Sequence, residues 1–135
     1  MAAREPVEYE LLIAAPPRTV FAYFTDGERM TRWMGMRATL DPRPGGTARI
    51  DVAEGATMVG EFVEVEPFER IVLAWGWEQE QLRVPPRSSS VEVSLAPDGD
   101  GTRLRLVHRR LPPDAYDFHR AGWSHFLGRL REEAA

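Results

Sequence analysis

The pair Pro112-Pro113 separates two different hydrophobic periodicities, and that break constrains the fold of this chain more than any other feature. Ahead of it, apolar residues recur at every second position in short runs, which is the pattern of half-buried strands. Behind it, Gly122, Trp123, Phe126, Leu127 and Leu130 recur at helical spacing, joined by Phe118 or His119, with Arg120, Arg129 and Arg131 elsewhere on the surface. Proline removes a ladder hydrogen bond and suits the first helical turn, so the strands end and a helix begins here. A helix over residues 114–133 spans roughly 30 Å and is the longest element expected.

The first run, Val7 to Ile13, alternates apolar and acidic residues before both faces turn apolar, so it reads as a strand with a buried second half. Pro17 then opens a helix to about Thr25 that puts Val20, Phe21 and Phe24 on one side. Asp26 caps a second short helix from Gly27 to about Trp33. Strand pieces follow at 36–40, 47–52, 57–66 and 70–77, separated by Gly- and Pro-rich turns too short for parallel crossovers. Residues 79–90 are polar and aperiodic and read as a long loop. Val91, Val93 and Leu95 form the next strand, Pro97-Asp98-Gly99-Asp100-Gly101 turns the chain, and Leu104, Leu106 and His108 share one face of the last strand. The order of elements describes an α+β layer arrangement, an antiparallel sheet with its helices on one face. With 135 residues and no linker or repeat, one domain over 1–135 is expected.

Composition removes whole classes of function. Cysteine is absent, which excludes disulfides, thiolate catalysis and cysteine metal sites. No apolar run approaches the roughly 20 residues of a membrane span, and no export signal is legible at the start, so a cytoplasmic protein without membrane insertion is expected. The net charge of −4 and the lack of a basic stripe argue against a nucleic-acid partner. All 17 basic residues are arginine, and Arg103 and Arg105 alternate with apolar positions, as on a solvated sheet face. The three histidines, His108, His119 and His125, lack the spacing of a metal set, so no metal and no cofactor is expected. Serine-hydrolase, zinc-protease and phosphate-loop motifs do not occur.

Five segments carry a family resemblance: "IAAPPRTVFAYFTDGERMTRWMG" from Ile13, "RPGG" from Arg43, "GEFVEVEPFERIVLAW" from Gly60, "GTRLRLVH" from Gly101 and "HRAGW" from His119. In this order and spacing they resemble the SRPBCC or START-like (Bet v one-like) superfamily, and within it the AHSA-like family, related to the activator of the ninety-kilodalton heat-shock chaperone ATPase. The resemblance implies a helix-grip fold: a curved antiparallel sheet wrapped around the long C-terminal helix, with two short helices after the first strand. It also implies an apolar cavity between helix and sheet. At Met34 such sequences often carry a second aromatic instead.

On that fold a ligand site is expected from Met30, Trp33 and Met34 of the short helices, Trp75 and His108 of the strands, and His119, Trp123 and Phe126 of the long helix. Methionine and tryptophan suit an adaptable apolar pocket. The leading reading is a carrier or sensor binding a hydrophobic or amphipathic small molecule, as a monomer or homodimer. A cavity enzyme of cyclase or hydrolase type, using His108 as acid or base, is the alternative, because histidine changes charge near neutral pH. The competing account of His108 is packing with a backbone hydrogen bond. A chaperone-interacting domain is the third reading.

Overall fold

The computed structural model describes residues 6–135; the start of the chain, residues 1–5, to which part of the expectation about export applies, lies outside the described residues. Seven antiparallel strands form one curved sheet in the order β1-β7-β6-β5-β4-β3-β2. The strands are β1 (Val7–Ile13), β2 (Arg37–Leu40), β3 (Thr47–Ala53), β4 (Ala56–Glu66), β5 (Arg70–Trp75), β6 (Ser89–Asp98) and β7 (Gly101–Arg109). Two short helices, α1 (Pro17–Thr25) and α2 (Gly27–Met30), carry the chain from β1 at one edge to β2 at the other. The long helix α3 (Tyr116–Ala134) follows a single 3₁₀ turn at Pro113–Ala115. This is the helix-grip arrangement.

The alternation read from the sequence decides which side of the sheet is core. Leu104, Leu106 and His108 of β7, Val91, Val93 and Leu95 of β6, and Ile71, Leu73 and Trp75 of β5 are buried on the face that meets α3. On the opposite face the arginines are laced to carboxylates. Arg103 bonds Glu10 at 2.9 Å and Asp98 at 3.0 Å, Arg105 bonds Glu8 at 3.2 Å, and Glu92 accepts from both Arg70 and Arg109. Burial pushes the Glu92 carboxyl upward, but its hydrogen bonds to Arg109 and Arg70 more than offset this and hold it below its usual value.

Two β-bulges bend the sheet, one at Val52 in β3 and one at Val63 in β4, where the ladder register shifts by a residue. Local boundaries differ from the sequence reading for identifiable reasons. Asp26 does cap α2, accepting from the Glu28 N–H at 3.0 Å, but the helix closes at Met30 and the following residues form turns. β5 ends at Trp75 because Gly76 brings the segment 85–86 against the strand, and Trp77 continues as an isolated bridge to Met58. A Cβ on Gly76 would lie 1.9 Å from the Pro85 carbonyl oxygen, so no other residue fits. The long polar loop contains a 3₁₀ turn at Glu80–Leu82, and its last residues, Ser89 and Ser90, already belong to β6. No described helix is long and apolar enough to cross a membrane.

Candidate functional site

Between α3 and the β3–β5 side of the sheet the packing leaves an apolar recess of about 380 Å³. Its wall comes from Met34 after α2, from Val52, Ala53 and Ala56 at the β3–β4 turn, and from Trp75 and Trp77. The remainder is Phe118, His119, Ala121, Gly122, Trp123 and Phe126 of α3. The bulge at Val52 lets two consecutive residues, Val52 and Ala53, reach the wall where a regular strand would offer alternate ones. On the helix, Gly122 leaves part of that space open. A Cβ placed there meets no atom within 4 Å, so a larger side chain would enter the recess. Ala53, Ala121 and Phe118 are solvent-exposed, whereas Trp75, Trp77, Trp123 and Met34 are buried, which gives the recess an open rim and a closed floor.

The floor is an aromatic cluster in mostly edge-to-face contact. Trp75 stands 5.6 Å from Trp77 at 87° and 5.1 Å from Trp123, and the His108 and His119 rings lie 5.2 Å apart at 88°. Such geometry aligns ring edges with ring faces. Hydrogen bonds fix both imidazole tautomers. The Ala115 carbonyl can only accept, so His119 Nδ1 carries the proton donated to it at 2.7 Å, leaving Nε2 to accept from Trp77 Nε1 at 2.9 Å. His108 Nδ1 accepts from Trp123 Nε1 at 3.0 Å, and its Nε2–H donates to Ser89 Oγ at 2.8 Å. The Ser89 hydroxyl in turn donates to the Trp75 carbonyl at 2.7 Å. Burial pushes the His108 imidazole well below its usual range, and the neighbouring His119 adds to this. Burial also lowers His119, against the opposing effect of its bond to Ala115. Both rings are neutral at pH 7.

The structure distributes the expected site residues between wall and support. Met34, Trp75, His119, Trp123 and Phe126 lie on the wall. His108 stands behind it, fully buried, with both ring nitrogens engaged. Met30 and Trp33 are not among the lining residues. Trp33 is fully buried against Phe24, ring centroids 5.1 Å apart, and donates to the Tyr23 carbonyl at 2.9 Å, which serves the α1–α2 packing. The wall residues outside the expected site set are Trp77, Phe118, Ala121, Gly122 and the β3–β4 turn. Trp77 was accessible to sequence reasoning, since alternation places it on the side of Trp75. The bulge was not. Among the described residues no three His, Asp or Glu side chains converge as a metal-ion ligand set.

Comparison with known proteins agrees with this architecture. An AHSA1-like protein from Rhizobium etli is 40% identical, with 100% of this chain and 87% of that one covered at a TM-score of 0.72. The protein MLL2253 from Mesorhizobium loti is 25% identical, covers 95% of both chains and superposes with a TM-score of 0.84. DynU16, from the dynemicin biosynthetic locus, is 26% identical at a TM-score of 0.80, and the match takes in 96% of this chain but 47% of that longer one. No curated protein matches the chain. A family model described as "Activator of Hsp90 ATPase homolog 1-like protein" matches residues 14–135, and the chain belongs to that family.

Proposed function

We propose that the protein is a carrier or sensor that binds a hydrophobic or amphipathic small molecule in the recess between α3 and the sheet. The observation that carries this reading is an aromatic-walled, open-rimmed recess of about 380 Å³ whose lining includes no charged residue. Small-molecule sites are concave and mostly apolar, and a recess walled by three tryptophans has that character. Burial of an apolar ligand contributes about 25 cal/mol per Å² of apolar surface removed from water. We place the protein in the cytoplasm as one domain, a monomer or a homodimer.

The geometry gives the enzymatic alternative little to work with. A general acid or base must reach the reacting atom, and His108 is fully buried with both nitrogens bonded to Trp123 and Ser89. The chaperone-partner reading rests on the family description alone.

The test uses anthracene as an apolar probe with the unaltered protein and a Gly122→Leu variant. Anthracene is expected to perturb tryptophan fluorescence and raise the melting temperature of the unaltered protein, by linkage worth about 2.7 kcal/mol at a hundredfold excess over Kd. Gly122→Leu, which adds a side chain to the recess wall at a position where a Cβ meets no atom within 4 Å, is expected to stay folded and lose the response. Absence of any response in the unaltered protein would refute the reading.

A further inference from the structure

One residue of the recess wall carries a buried ring nitrogen without a partner. The recess has five ring N–H groups or ring nitrogens on its tryptophans and on His119, and nearly all are consumed within the protein. Trp77 Nε1 is bonded to His119, Trp123 Nε1 to His108, and His119 Nδ1 to Ala115. Trp75 differs. Its indole Nε1 is the one buried side-chain nitrogen or oxygen with no hydrogen-bond partner among the described residues, although the residue is only 3% exposed and lines the recess. Buried donors in folded proteins are nearly always satisfied, and an orphan costs the desolvation of that group. The neighbouring rings could not have supplied an acceptor, because the imidazole acceptors of His108 and His119 are already taken by the other two tryptophans.

We infer that Trp75 is the specificity-determining residue of the recess: its indole N–H selects ligands that place one hydrogen-bond acceptor, such as a ketone or ether oxygen, on an otherwise apolar frame. This deepens the proposed function and rests on it. A purely apolar ligand leaves the N–H orphaned, whereas a frame of equal shape bearing an acceptor satisfies it at no cost in apolar contact. A site with a single unpaired buried polar group discriminates through that group, since the other wall contacts are indifferent to polarity.

Fluorene and 9-fluorenone test this, because the two frames are nearly the same shape and only the ketone offers an acceptor. Titration of the unaltered protein is expected to give about five- to tenfold tighter binding of fluorenone, the ratio set by one net hydrogen bond. In a ¹⁵N-labelled sample, the Trp75 indole N–H resonance should move downfield with fluorenone and not with fluorene. Trp75→Phe, which keeps an aromatic ring and removes the donor, should bind both probes equally. The resonance measurement needs no variant, so misfolding of Trp75→Phe would not shield the inference. Equal affinities of the unaltered protein for the two probes, or a Trp75 resonance indifferent to the ketone, would overturn the inference while leaving ligand binding intact. Failure of both probes to bind would overturn the functional reading and this inference together.

Discussion

Lowering the pH from 7.5 to 5.5 should destabilise this protein through its two buried histidines. His108 and His119 are neutral in the fold and their imidazoles titrate below the ordinary value of 6.5. In the unfolded chain they protonate around 6.5, so their contribution to stability is complete above that pH and is lost as the pH falls toward the folded values. A histidine that stays neutral in the fold across this whole window loses about 1.4 kcal/mol, so about 2.7 kcal/mol is the ceiling for the two. The ring and side-chain hydrogen-bond partners of both histidines among the described residues are uncharged. His119 faces Trp77, Phe118 and His108, and His108 faces Trp75, Ser89, Trp123 and His119. Protonation would also break a bond, because His119 Nε2 accepts from Trp77 and His108 Nδ1 from Trp123. The Glu92 carboxyl, held below its usual value by Arg109 and Arg70, acts only in a lower window. Urea unfolding followed by circular dichroism at the two pH values should show a midpoint lower by up to about 1–2 M at pH 5.5, for a typical urea slope. Equal midpoints, or histidine resonances of the folded protein titrating near 6.5, would refute the reasoning.

Gly122→Ala should raise stability by about 0.5–1 kcal/mol in chemical denaturation, since alanine is the better helix former and its methyl meets nothing. Gly76→Ala should cost about 1–3 kcal/mol or abolish folding, because its Cβ collides with the Pro85 carbonyl. Glu92→Ala should cost about 1–2 kcal/mol by removing the shared partner of Arg70 and Arg109. Glu10→Ala, which removes an exposed pair with Arg103, should cost about 0–1 kcal/mol in the same assay.

The strands, their antiparallel pairing and the long helix were legible because each rests on local chemistry: alternation in Val91, Val93 and Leu95, proline at 112 and 113, glycine and proline in the turns. The candidate site was legible where periodicity decides facing, as for Trp75, Trp123 and Phe126. It was hidden where distant contacts decide. Whether Trp33 faces a void or the helix pair depends on Phe24 and Tyr23 folding over it. The role of His108 depends on Trp123 and Ser89 arriving at its two nitrogens from separate elements. The bulge at Val52 follows from the pairing of two strands and has no signature in one.

The pairing of β1 with β7 sets when this protein can finish folding. Val7 lies opposite His108 and Ile13 opposite Thr102, so the first strand made has no ladder partner until the last strand has left the ribosome. Contacts so far apart in sequence are the slow ones in folding, because the chain must close a long loop before they form. During synthesis β2 to β6 can assemble as successive hairpins, while the apolar side of β1, Val7, Leu11 and Ile13, waits uncovered. Until β7 arrives, that strand keeps an unpaired edge and an apolar side open to association with other chains.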